Sequence, residues 1–370
     1  MTHASSPLRR RGLLLGAGAA ATAAALPRQA QAATKTVGFI YVGSRDDYGY
    51  NQSHAEGAAA VRKMPGVTVV EQERVPETVA CADAMETMIQ LDGASLIFPT
   101  SFGYFNPYML KASTKNPSVT FMHCGGLWSA GDPANAHSYF GYIDEAVYVS
   151  GIVAGHMTKS KKLGFVAAKP IPQVLRNINA FMLGAQVANP AITMQVIFTG
   201  DWFLPVREAE ATNSLADQGA DVITCHVDSP KVVIQTAESR GLYTCGYHAD
   251  QAPLAPKGYL TGAEWNWPYL YPKWVAELQA GGTLPNYIRG GFQEKFVKSS
   301  PYNPKVPAAV RAQADAVRDG FTTGSYAIFI GPIKDNKGNV VIPSGIIKDE
   351  HDKSLESMDY LVAGVAGSAS

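Results

Sequence analysis

The sequence predicts an α/β protein of two lobes, each an open parallel sheet with helices on both faces, joined by a multi-strand hinge. Three observations predict it. Short apolar runs alternate with helix-like stretches, the pattern that builds parallel sheets through crossover helices. The series runs once to about Thr158 and starts again at Leu163, after the basic turn Lys159 to Lys162. About 338 residues follow an N-terminal segment expected to be removed, too many for one ordinary core.

That segment has Arg9, Arg10 and Arg11, then an uncharged Gly/Ala/Leu run from Gly12 to Leu26, then Ala30-Gln31-Ala32. This is the layout of an export signal, and Arg10-Arg11-Gly12-Leu13-Leu14 fits the twin-arginine pattern. The apolar run is 15 residues, short of the ~20 that cross a bilayer, so cleavage is expected for residues 1–32. No Cys stands at the new N-terminus that a cut near Ala32 would leave, so no lipid anchor is expected, and the mature protein is expected free in the periplasm. Of 31 basic and 31 acidic residues, four arginines and no acid fall in residues 1–32, which leaves 27 against 31. Such a balance favours neither nucleic acid nor anionic lipid as a partner, and a monomer is expected.

The first lobe is expected over 33–159 plus about 262–282. Its strands are Thr36 to Val42, Val67 to Glu71, Ser95 to Phe98 and Thr120 to His123, with helices from Gln52 to Lys63, Cys81 to Leu91 and Pro107 to Thr114 between them. A Gly/Pro/Ser/Asn-rich passage, Cys124 to His137, and a helix, Asp144 to Thr158, lead to the second lobe. This lobe is expected over 160–261 plus about 283–370, with strands Leu163 to Ala167, Met194 to Phe198, Val222 to Cys225 and Tyr243 to Gly246. Its helices are Val174 to Val187, Arg207 to Gln218 and Lys231 to Arg240. In the tail the pattern predicts helices over Tyr269 to Ala280 and Ala308 to Asp319 and a strand over Gly290 to Val297. A hairpin is predicted around Asp335-Asn336-Lys337-Gly338. Because two lobes are complete by about residue 262, the tail must cross between them.

Ligands of open α/β sheets sit at the carboxyl ends of the strands. The loops there are Gly43 to Gln52, Pro99 to Phe105 and His123 to Trp128 in the first series. In the second they are Lys169 to Asn179, Thr199 to Pro205, His226 to Pro230 and Gly246 to Asp250. Each carries an aromatic, an acid or an amide, the groups that stack a planar ligand and bond its edge. The four cysteines, Cys81, Cys124, Cys225 and Cys245, form no CxxC or Cys/His cluster, so neither a metal site nor a cofactor is expected. Cys225 and Cys245 end neighbouring apolar runs and stand either as a disulfide or as two buried thiols.

The sequence resembles the basic membrane protein family of ABC transporter solute-binding proteins, which includes purine-nucleoside receptors and adenine-binding relatives. The resemblance runs over nearly the whole mature chain. It rests on V-G-F-I-Y-V-G (Val37 to Gly43) with D-Y-G-Y-N-Q (Asp47 to Gln52), I-F-P-T-S-F-G-Y (Ile97 to Tyr104) and A-G-H-M-T-K-S (Ala154 to Ser160). To these it adds G-F-V-A-A-K-P-I-P (Gly164 to Pro172), N-A-F-M-L-G-A (Asn179 to Ala185), Q-G-A-D-V-I-T with D-S-P (Gln218 to Pro230), P-Y-N-P (Pro301 to Pro304) and G-P-I-K-D (Gly331 to Asp335).

The resemblance implies a type I periplasmic-binding fold of two Rossmann-like lobes, an ABC permease as partner and a purine-like ligand in the cleft. It implies that Tyr50 stacks on the base with Asp47 and Asn51 beside it, and that Ser101 and Phe102 line the same wall. Asn177 falls where nucleoside receptors place a second aromatic, which implies an amide contact to the base edge; Trp202, Asp228 and Asp250 complete that wall. His248 stands where relatives carry an acid that grips a ribose, which argues for a free base or another flat heterocycle. Glu264, Trp265 and Asn266 replace a stretch that is commonly aliphatic and then acidic in adenine-type relatives, which argues for a ligand other than adenine.

Two other classes stay open at this level. An enzyme would pair His123, His226 or His248 with Asp228 or Asp250 as acid and base, but G-x-S-x-G, H-E-x-x-H, P-loop and complete G-x-G-x-x-G motifs are all missing, and no enzyme is expected. A sensor that presents its loaded form to a membrane receptor would use the same lobe tips as a transport protein.

Overall fold

The computed structural model describes residues 35–369; the expected export signal lies outside them. Strands β1 (Lys35–Ile40), β2 (Val67–Gln72), β3 (Ala94–Pro99), β4 (Thr120–Cys124) and β5 (Ala136–Gly141) alternate with helices α1 (Tyr50–Val61), α2 (Val79–Gln90) and α3 (Leu110–Lys115). Helix α4 (Asp144–Met157) leads to β6 (Lys162–Ala167), α5 (Pro172–Ala188), β7 (Thr193–Phe198), α6 (Pro205–Asp217), β8 (Val222–His226), α7 (Lys231–Ser239), β9 (Tyr243–His248) and β10 (Tyr259–Trp265). Then come α8 (Trp267–Gln279), β11 (Tyr287–Gly290), β12 (Val297–Ser299) and α9 (Ala308–Thr322). The tail holds two short antiparallel pairs, β13 (Phe329–Ile330) with β16 (Ile347–Lys348) and β14 (Ile333–Lys334) with β15 (Val340–Ile342), and ends on β17 (Val365–Ala366).

The first sheet has the order β11-β5-β4-β3-β1-β2 and the second β12-β10-β9-β8-β6-β7-β17. Within them only β12, on β10, pairs antiparallel. The chain passes between the sheets three times: along α4 after β5, along α8 after β10, and through residues 291–296 after β11.

Central strands are continuous apolar runs because helices cover both faces; Val37, Phe39, Leu96, Phe98, Phe165 and Val166 are all buried. Helix α4 lies against α5 at near backbone contact. A methyl on Gly151 would stand 2.2 Å from the Phe181 carbonyl oxygen, and one on Gly184 2.2 Å from that of Tyr148. Small residues on both helices bring the axes that close.

The structure departs from the pattern reading in two places. The tail strand expected over Gly290 to Val297 is two strands in different sheets. Residues between them turn because side-chain carboxylates take their N–H groups: Gly291 donates to Glu294 and Phe292 to Glu145. Strands β5 and β10 carry Gly, Ser, His, Thr and Glu among their apolar residues, which hides them from an apolar-run criterion. Of the two states left open for Cys225 and Cys245 the structure has the thiols: all four cysteines are free and buried. Val222 pairs Tyr243 and Ile223 pairs Thr244, so the register continues with Cys245 beside Thr224. Side chains alternate faces along a strand, which puts Cys225 and Cys245 on opposite faces of the sheet.

Candidate functional site

The carboxyl ends of β1, β3 and β4 face those of β6, β7, β8 and β9 across a crevice whose walls include Tyr50, Glu77, Ser101, Phe102, Trp202, His226, Asp228 and His248. Main-chain contact joins the two sides. The Tyr50 N–H donates to the Asp228 carbonyl at 2.9 Å, Ser229 Oγ donates to the Asp47 carbonyl at 3.0 Å, and Gln251 Nε2 donates to the Tyr48 carbonyl at 2.7 Å. The first bond requires Gly49: a Cβ there would lie 2.1 Å from the Asp228 carbonyl oxygen.

Tyr50 opens α1, and its hydroxyl donates to the Thr100 carbonyl at 2.6 Å, which fixes its ring at the crevice floor. The ring meets His54 and His248 edge-on, at centroid distances of 4.6 and 5.3 Å. Phe102 is 59% exposed at the rim. Opposite, Trp202 carries Lys169 Nζ 5.5 Å above its ring, and its carbonyl accepts from the Asp228 N–H at 2.8 Å.

Two carboxyl groups enter from the two sides. Glu77 accepts from Ser101 Oγ at 2.6 Å and from the Gly103 N–H at 2.7 Å, so Ser101 holds an acid in place. The Asp228 carboxyl has no side-chain hydrogen bond or ion pair among the described residues. Burial raises its pKa well above the usual carboxylate range, and the carboxylates of Asp47, Glu77, Glu208 and Asp201 push the same way.

The histidines are neutral. Burial lowers His226 to about 3 and His248 well below its ordinary value. His248 sits at φ 78°, a strained conformation for a residue other than glycine. Its Nδ1 accepts from Trp265 Nε1 at 2.8 Å, so the proton is on Nε2. That buried N–H lacks a partner of good geometry among the described residues, with only a weak contact to the Val227 backbone. His226 Nδ1 accepts from Asn177 Nδ2 at 2.9 Å, and the same amide reaches the Tyr247 hydroxyl at 2.9 Å.

Of the residues singled out from sequence, Tyr50, Ser101, Phe102, Trp202, Asp228 and His248 share this crevice, and Asn177 lines the space next to it. The other four stand behind the wall. Asp47 accepts from the N–H groups of Gly49, Asn51 and Gln52 at the start of α1, the role of a helix cap. Asn51 is bonded to Asp47 and Gly43. Asp250 accepts from the Ala252 N–H, and Trp265 is core, stacked on Trp267 at 5.0 Å. Glu264, paired with Lys298, Trp265 and Asn266 do not line the crevice or the space next to it, so this stretch gives no ground against adenine. Missing from the sequence expectations are Glu77, in the loop after β2, and Arg289, which tertiary folding brings to the cleft; Gln173 lies in the expected loop Lys169 to Asn179 but is not singled out there.

His226 bonds to Asn177 and Tyr247 and His248 to Trp265, so among the described residues no cleft histidine is hydrogen-bonded to a carboxylate as an acid–base pair requires. Nor, among those residues, do three His, Cys, Asp or Glu side chains gather there as a metal site would need.

A model of the family described as Bmp, ABC transporter substrate-binding protein PnrA-like, matches residues 34–316. The chain is 35% identical over 332 residues to a purine-binding protein of Brucella abortus, covering 89% of this chain and 92% of that one. It is 30% identical over 337 residues to a putative ABC transporter glucose-binding protein of Haloferax volcanii, covering 90% and 81%. Among solved structures, an ABC transporter solute-binding protein of Conexibacter woesei superposes with a TM-score of 0.66 at 22% identity, covering 79% of this chain and 97% of that one. At that identity the likeness speaks for the fold.

Proposed function

The chain belongs to the Bmp family of PnrA-like ABC transporter substrate-binding proteins, and from that premise we propose that it captures a purine base or similar flat polar heterocycle between its lobes and delivers it to a permease. One observation carries the ligand class. The crevice sets the rings of Tyr50 and Trp202 beside two groups with unspent hydrogen-bonding capacity, the Asp228 carboxyl and His248 Nε2–H. A heterocycle edge offers an N–H to the first and a ring nitrogen or carbonyl to the second, while its faces meet the rings. Ligand that touches both walls favours the closed form by its differential contacts.

A thermal-shift screen of purines, pyrimidines, nucleosides and glucose tests this, since a ligand that binds only the folded state raises the melting temperature. A rise with a purine base and none with glucose is expected; a rise with glucose alone, in line with the name of the Haloferax volcanii relative, overturns the reading. Recovery of the bound compound unchanged after incubation separates binding from catalysis. Export by the twin-arginine route belongs to the same reading: replacing Arg10 and Arg11 by lysine is expected to retain the precursor inside the cell.

A further inference from the structure

The crevice opens into a second, larger space between the lobes. The crevice holds about 50 Å³ and this outer chamber about 310 Å³, and the two share Phe102, Gly125, Phe140, Ile171 and Gln173. Pockets that bury a small ligand ordinarily hold ~300–1,000 Å³. The crevice alone falls well short of that, so a bound molecule reaches into the chamber.

Chamber chemistry differs from crevice chemistry. Its surface comes from Phe102, Leu127, Phe140, Tyr142, Ile171 and Leu355, and of its polar members all but Gln173, at the mouth shared with the crevice, are engaged inside the protein. Arg176 is bound by Asp144 and Glu350, each at 2.6 Å. Arg289 donates to the carbonyls of Ile288 and Gly126 and to Ser138 Oγ, and lies 3.8 Å over the Tyr287 ring. Glu356 accepts from the Tyr287 hydroxyl. The Asn177 amide nitrogen is taken by His226 and Tyr247. The chamber therefore offers contact area and few free hydrogen bonds. Part of its wall, Leu355 and Glu356, lies beyond residue 316, where the family match ends.

We propose that the outer chamber is a second subsite, which takes an apolar substituent carried on the heterocycle held in the crevice. The ligand class is then a ring-substituted base rather than a bare one. This rests on the reading of the crevice given above.

Titration calorimetry of the full chain with adenine and with 6-hexylaminopurine tests it, in the wild type and in Leu127→Asp. Leu127 borders the chamber and not the crevice, and at 62% exposure it tolerates a charge without loss of the fold. The hexyl compound is expected to bind the wild type at least about tenfold tighter than adenine, because each buried methylene adds to affinity. Leu127→Asp is expected to abolish most of that gain and leave adenine within about twofold. Adenine binding with no gain from the hexyl group overturns the subsite and leaves the heterocycle reading standing. A gain that persists in Leu127→Asp places the alkyl group elsewhere and also overturns it. If neither purine binds, the crevice reading fails and the subsite with it.

Discussion

Two charged groups close to the cleft, one buried and one half-buried, are treated in opposite ways. Arg176, 5% exposed, is enclosed by Asp144 and Glu350 at 2.6 Å on either side and lies under the Tyr142 ring. Asp228 has no side-chain partner at all among the described residues, and the nearby charges that act on it are themselves negative. The first cluster ties the start of α4, helix α5 and the tail into one block, and the arginine's charge is answered within the protein. The second leaves a desolvation cost standing until something else arrives. A fully buried group without a partner costs ~1–3 kcal/mol; the half-buried Asp228 carries part of such a cost, placed where a ligand can remove it.

Four substitutions break or sharpen the contrast. Arg176→Met strands two buried carboxylates, and loss of about 3–5 kcal/mol of stability is expected in urea denaturation; a loss below ~1 kcal/mol would mean the triad is not the tie described. Tyr50→Ala removes one stacking face, worth about 1–3 kcal/mol by analogy with base stacking on aromatic platforms, so affinity for the purine identified in the screen should fall at least tenfold with the fold intact by circular dichroism. Asp228→Ala should also weaken binding at least tenfold, yet raise the melting temperature of the empty protein, because an unpartnered carboxyl is gone. Wild-type affinity in both variants would remove the site assignment.

The smallest effect is in Glu145, beside the triad. Burial pushes its pKa up to about 8, against the hydrogen bond from the Phe292 N–H. A carboxyl with a raised folded-state pKa contributes its stability below the unfolded value and loses it as pH rises through the folded one. Melting temperature should therefore decline between about pH 4.5 and pH 8 through this group. Glu145→Gln should match the wild type near pH 4 and exceed it by a few degrees at pH 9; equal melting curves at pH 9 would exclude Glu145 as the group responsible.

What the sequence made legible follows from locality. Alternation of apolar runs and helices is a local signal, and it located both parallel sheets. Strand ends are local too, which is why the loops that carry Tyr50, Trp202, Asp228 and His248 stand out from the residue order, while the family resemblance points to these residues within them. Asp47, Asn51 and Asp250 stand out by the same rule and do other work. A loop Asp or Asn that caps a helix and one that faces a ligand look alike in sequence, because both are short polar side chains that accept hydrogen bonds near a turn. Arg289 and Leu355 were invisible for a different reason: they reach the cleft from an edge strand and from a tail turn, through pairings of β11 with β5 and of Arg176 with Glu350 that leave no trace in spacing.

The bond between the Tyr50 N–H and the Asp228 carbonyl is a latch built from main chain alone, admitted by a glycine with no side chain to obstruct it. Such a latch is indifferent to cargo. Side chains around it can be exchanged to suit a new guest without altering how the two halves engage, so one clamp can serve several diets.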